Sequence, residues 1–126
     1  MAWQVIAVAL GGALGATARF LVTRGLTTIA PQFVGGGTLL VNVVGSLLIG
    51  LLLARGTSSL LTAEWRAFLV PGLLGGLTTF SALSWETVEL SRSHFAWGAA
   101  HLTANLCGGL VAIILGEALA RRWFGA

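Results

Sequence analysis

The sequence predicts an all-α integral membrane protein with four transmembrane helices, on three observations. The 126-residue chain is 56% hydrophobic and only 9% charged, against roughly 25% charged in soluble domains. Its apolar residues gather into four runs, at about residues 3–23, 34–54, 67–90 and 95–120, each near the ~20 residues that span a bilayer as a helix. The runs are continuous, whereas β-barrel strands would be nearer ten residues and alternate in polarity.

The first run is uncharged from Ala2 to Ala18 and then meets Arg19. It lacks the basic start of a secretory signal and continues to full span length, so a membrane helix is expected rather than a leader. The second run is the clearest, with no charge from Phe33 to Ala54. The third is uncharged from Ala67 to Trp85 and ends at Glu86, and the fourth from Phe95 to Gly116. The four spans leave only short loops and stubs, so residues 1–126 read as a single transmembrane domain.

The net charge is +3 and all seven cations are arginines, spread without a basic run. That spacing argues against nucleic acid as a partner and for arginines that mark membrane edges. With four spans, Arg55, Arg66, Arg121 and Arg122 share one side. Arg24 and Arg92 lie on the other, and Arg19 lies deeper. So small a bias permits insertion in either orientation. Cys107, the only cysteine, lies mid-span and reads as a small apolar filler.

Each span carries one small or polar stripe at four-residue spacing, which is one face of a helix. The stripes are Gly11, Gly15, Arg19 and Thr23 in the first span; Thr38, Asn42 and Ser46 in the second, with Gly45 beside them; Gly72 and Gly76 in the third; and His101, Asn105 and Gly109 in the fourth. Glycines at this spacing serve close helix packing. Asn42 and Asn105 need partners, because an unbonded amide in hydrocarbon costs a few kcal/mol. Together with His101 they read as the wall of a polar pathway. Arg19 reads either as a snorkelling edge residue or as a positive charge held beside an anion path.

The third span contains "GGLTTFSALSWE" at residues 75–86, with Pro71 and Gly72 before it. Proline and glycine weaken a helix, and a broken helix at membrane depth is tolerated where its backbone faces protein, water or an ion. Half-helix ends of this kind bind Na⁺ in several transporters. A break with an ion site built from carbonyls is expected here. The four acids all fall in a loop or near span ends. No nucleophile elbow, metal-ligand pair or phosphate loop is present, so no enzyme is expected.

Three blocks, "GGALGATARF" at 11–20, "GTLLVNVVGSLLIG" at 37–50 and "GLLGGLTTFSALSWE" at 72–86, resemble the Fluc (CrcB) family of bacterial fluoride channels, in order and over nearly the whole chain. The resemblance implies a passive fluoride channel in the bacterial cell membrane that relieves fluoride toxicity. It implies an antiparallel, dual-topology homodimer enclosing two pores, with a structural Na⁺ at its centre held by backbone carbonyls. At the matching positions those carbonyls belong to Gly75 and Thr78. Asn42 matches the pore asparagine, Phe80 the first of two pore phenylalanines, Thr79 and Ser81 the flanking hydroxyls, Arg19 the arginine of helix 1, and Glu86 the closing acid. The chain departs from the family pattern where Leu83 stands for the second phenylalanine, His101 for the pore tyrosine and Asn105 for a serine. Pairing with a paralogue is a further possibility that the family raises.

The physical chemistry of the residues agrees. Fluoride is small and strongly hydrated, so a pore must replace its water with donors, which Asn42 and the Ser and Thr hydroxyls supply. The positive edge of the Phe80 ring meets an anion without binding it tightly, and weak, multi-site binding lets an ion leave. Two other classes compete. A small multidrug-type exporter would share the four-span dimer but needs a membrane-embedded carboxylate, and the first span has none. A non-transporting scaffold explains the glycine stripes but not Asn42, Arg19 and the broken helix together.

Overall fold

The computed structural model describes residues 1–54 and 59–124, and Arg55 of the charge count lies outside them. The described residues are helical with no strand. Helix α1 is Ala2–Ile29 and α2 is Gly36–Leu53. Helix α3, residues 63–77, begins as a capped turn at Ala63–Ala67, widens to π winding over Phe68–Leu74 and closes with Gly75–Leu77. Helix α4 is Phe80–Ser93 and α5 is Phe95–Phe124. Taking α3 and α4 as one broken span, four helices are long and apolar enough to cross a membrane. At ~1.5 Å per residue, the 28-residue α1 and the 30-residue α5 outrun a hydrocarbon core of ~30 Å. Each extends past the span read from hydropathy alone.

Local chemistry sets the helix ends. Pro31 forces Ala30 out of helical geometry (φ −139°, ψ 67°) and stops α1. The Thr62 side chain accepts Trp65 N–H at 3.3 Å and caps α3. Pro71 has no N–H, and its ring would crowd the carbonyl four residues back. The wider π winding around it accommodates both facts. One extended residue, His94, joins α4 to α5 in a tight antiparallel reversal.

In packing, α2 lies along α5, α1 along α3, and α4 against α5, while α1 also touches α2. The buried set is small: Val41, Ala54, Leu74, Leu83, Ala112 and Ala120, with three polar side chains, Thr38, His101 and Asn105. Large apolar residues such as Leu10, Phe20, Leu110 and Ile114 point outward. That inversion of the soluble pattern follows from lipid. Tails are as apolar as leucine, so helices associate through close packing and hydrogen bonds instead. Glycine makes the close packing possible. A Cβ at Gly15 would meet Leu73 O at 2.0 Å, and one at Gly116 would meet Leu47 O at 2.2 Å. The glycine stripe of α1 therefore serves the α1–α3 crossing.

With successive spans antiparallel, Trp3, Trp65 and Trp123 fall at one end of the bundle and Trp97 at the other. All four are exposed, as aromatic belts at the two membrane surfaces would be.

Candidate functional site

The helix break lies two residues later than the glycines suggested. Gly75 and Gly76 are helical, and the chain opens at Thr78 (φ −79°, ψ 155°) and Thr79 (φ −153°, ψ 123°) before α4 begins. A glycine pair lowers helix stability but does not decide where a helix opens. Here the hydrogen bonds offered by neighbours decide it. Asn42, on α2, brackets the Thr79 peptide. Its Oδ1 accepts Thr79 N–H at 2.8 Å, and its Nδ2 donates to Thr79 O at 3.2 Å. The Thr79 N–H can only donate, so the bracket also fixes which way the Asn42 amide faces.

The second Nδ2 hydrogen of Asn42 goes to Asn105 Oδ1 at 2.9 Å, and Asn105 Nδ2 donates to His101 O at 3.0 Å. Sequence reasoning cast Asn42 as a donor to the ion. In the structure both of its N–H groups are held by protein acceptors.

The break changes what its neighbours expose. In a continuous helix Thr79 N–H would close on Gly75 O, and Ala82 N–H on Thr78 O. Here the first goes to Asn42 and the second to Thr79 Oγ1 at 3.3 Å. Among the described residues, neither carbonyl accepts any of the backbone bonds made outside the helices. A third carbonyl at the helix end, Gly76 O, accepts Arg19 Nε at 3.1 Å. Arg19 lies ten residues before the end of α1, about 15 Å along the helix. It therefore turns inward to the α3 terminus, where a cation meets the negative end of the helix dipole.

Arg19→Gln is expected to weaken this end of α3, lowering the thermal midpoint in detergent by a few degrees, for about 1 kcal/mol of lost charge-assisted bonding. An unchanged midpoint would show the contact to be idle.

An open groove of about 660 Å³ runs beside the break, and Asn42, Ser46, Gly75, Thr78, Thr79, Phe80, Leu83 and Asn105 all line it. With Gly109, which also lines it, nine residues singled out from sequence thus share one concavity. Phe80 is 73% exposed at its rim, whereas Leu83 is 3% exposed and packed into the wall. Ser81 is exposed outside the groove, its hydroxyl 3.3 Å from that of Thr79. Thr38 and His101 are not in the groove. They lie a turn away from the asparagines, where Thr38 Oγ1 donates to Glu86 Oε1 at 2.7 Å and His101 Nε2 lies 3.3 Å from Glu86 Oε2.

The stripes of α2 and α5 face each other in tiers. Thr38 and His101 meet at Glu86, Asn42 meets Asn105, and Ser46 lies against Gly109, whose Cβ would fall 3.3 Å from the Ser46 hydroxyl. The four-residue spacing in both helices foretold these stripes. Their pairing, and Glu86 as the third member of the first tier, carried no signal in sequence.

A chain with four helices able to span a membrane, one of them opened, and a polar groove beside the opening has the parts of an ion-conducting protein. The chain belongs to the CrcB family: a family model described as "CrcB-like protein, Camphor Resistance (CrcB)" matches residues 6–117. Among similar proteins, one from Burkholderia thailandensis is 37% identical over 125 residues, covering 98% of this chain and 97% of its own. Another, from Tolumonas auensis, is 38% identical over 120 residues and covers 94% of both chains. A third, from Methanopyrus kandleri, is 43% identical over 120 residues, covering 93% of this chain and 88% of its own. Each of the three is named a fluoride-specific ion channel FluC.

Proposed function

We propose that this chain is a passive fluoride channel that lets F⁻ leave the cell down its gradient. The observation that carries the reading is the groove at the helix break, which gathers Asn42, Thr79, Phe80 and Asn105 in one place, in a chain similar over nearly its full length to proteins named for fluoride conduction. Outside acidity lets HF enter and dissociate in a neutral cytoplasm, and a conductive path for the anion then suffices for export.

The groove is open along one side, and its polar lining would otherwise face lipid, where unpaired polar groups cost several kcal/mol. A second, antiparallel copy covers it in this reading, and Phe80 at the rim becomes a wall between subunits. The described arginines support insertion both ways: Arg66, Arg121 and Arg122 lie at one end and Arg24 and Arg92 at the other, too small a bias to fix one orientation.

The released carbonyls of Gly75 and Thr78 suit a hard cation. They are neutral oxygen ligands at a helix C-terminal end, where the dipole favours positive charge. They would hold Na⁺ at the dimer centre together with the same pair from the second copy. Bound there, the ion supplies fixed positive charge near the anion path without a titratable group. Phe80→Ile is expected to lower fluoride efflux from proteoliposomes more than tenfold while the protein still elutes as a dimer. Efflux at the native rate would remove Phe80 from the pathway.

A further inference from the structure

An anion leaves water only where hydrogen-bond donors replace it, so the hydrogens left free along the groove decide where fluoride can sit. Most of the groove's side-chain donors are engaged. Asn42 gives its two N–H groups to Thr79 O and Asn105 Oδ1. The Thr78 hydroxyl donates to Leu74 O at 2.9 Å. Thr79 Oγ1 accepts the Ala82 N–H and lies 3.3 Å from the Ser81 hydroxyl, so one hydrogen lies between those two oxygens. Asn105 gives one N–H to His101 O and is only 4% exposed.

Ser46 differs from all of these. It lines the groove and is half-buried, yet its hydroxyl makes no hydrogen bond to any described group. Nor is it sealed into the protein, as the unpartnered side-chain atoms of Glu86, Thr87 and His101 are. A helical hydroxyl commonly bonds back to the carbonyl four residues earlier, and Thr17, Thr27, Ser84 and Ser91 all do so here. Ser46 does not, and its hydrogen is left to the groove.

The surroundings of Ser46 suit a small ion. Gly109 lies across from it on α5, and a Cβ there would fall 3.3 Å from the Ser46 hydroxyl. The missing side chain therefore gives the hydroxyl its room. One turn further along both helices the groove is lined by Ile49 and Ile113, which have no donor to offer. Ser46 stands where the polar lining gives way to an apolar one.

We infer that the Ser46 hydroxyl is the side-chain donor that binds fluoride in the groove, where the ion exchanges water for protein. The inference rests on the channel reading above and adds to it the residue that replaces the water. A hydrogen bond from a hydroxyl to an anion is charge-assisted and roughly twice as strong as a neutral one. A single uncharged donor still lets the ion leave. The hydroxyl also rotates, so it can turn to an ion on either side of it along the groove.

The test is fluoride efflux from proteoliposomes holding the native protein, Ser46→Ala, Gly109→Ala or the double variant. Ser46→Ala removes the hydrogen and little volume. Its efflux is expected to fall about tenfold, the worth of one hydrogen bond to a charged group, with elution and thermal midpoint unchanged. Gly109→Ala keeps the serine but sets a methyl against its hydroxyl, and it is expected to slow efflux too. The double variant is expected to be no slower than the slower single one, because both changes act on one hydrogen. Native efflux in Ser46→Ala, or losses that multiply in the double variant, overturns the assignment.

Should the native protein pass no fluoride, the channel reading fails by itself and Ser46 is tested by binding. Backbone amide NMR signals in nanodiscs are followed as sodium fluoride is added, with sodium chloride as the control. Fluoride-specific shifts around Ser46 and Gly109 that vanish in Ser46→Ala uphold the site. No such shift, or one that persists in Ser46→Ala, refutes it.

Discussion

Replacing Asn42 by Asp is expected to reduce fluoride efflux by more than about a hundredfold, although the two side chains have the same shape. Asn42 Oδ1 would still accept the Thr79 N–H, as it does at 2.8 Å. The other oxygen would then face Thr79 O and Asn105 Oδ1, the two acceptors that Nδ2 now serves. Two hydrogen bonds become two repulsive contacts. Polar groups left without partners cost ~1–3 kcal/mol each when buried, and at the half-buried Asn42 a cost toward the lower end weakens the open form of the helix. A carboxylate beside the groove adds repulsion toward an anion. The measurement is electrode-detected efflux from proteoliposomes, with gel filtration to show that folded protein is present. Native efflux would mean that Asn42 neither holds the break nor meets the ion.

Gly15→Ala is expected to be as severe by a different route. The new methyl would lie 2.0 Å from Leu73 O and 2.8 Å from Leu77 N, both backbone atoms, so no side chain can move aside. The α1–α3 crossing must open, and Arg19, one turn further along α1, is drawn from Gly76 O. Overpacking of this kind costs about 1–3 kcal/mol or more, and a clear fall in the thermal midpoint together with lost efflux is expected. Gly25→Ala in the same helix is the control, because nothing lies within 4 Å of its Cβ and alanine is the better helix former by ~1 kcal/mol. A control midpoint at or above native, beside a depressed Gly15→Ala, separates the crossing from helix propensity. Equal midpoints in the two variants would show that the crossing tolerates a methyl.

The departures from the family pattern acquire distinct meanings in the fold. Leu83, where the resemblance implies a second phenylalanine, is packed into the groove wall at 3% exposure. Asn105 does more than line the wall, since it accepts from Asn42 and is itself tied to His101 O. A serine at this position is shorter than an amide side chain and lacks its carbonyl. In this chain the bracket at the break and the residue at position 105 are therefore linked.

The sequence by itself determined the number of spans, their helical nature and the polar stripe on each. These depend on local quantities: apolar length against bilayer thickness, and four-residue spacing against helical pitch. It also marked the third span as interrupted, through Pro71, Gly75, Gly76 and the run of hydroxyls. Where the chain opens was decided by tertiary structure. Thr78 and Thr79 become extended because Asn42, 37 residues earlier, takes the hydrogen bonds that a continued helix would have made.

The same holds for Glu86. Read along the chain it is an acid near a span end, and only the folding of α4 back along α5, beside α2, puts it against His101 and Thr38. Spacing within a helix is written in the sequence. Which polar atom in one helix meets which in another depends on helix crossings, and in lipid those are set by where glycine lets two backbones touch.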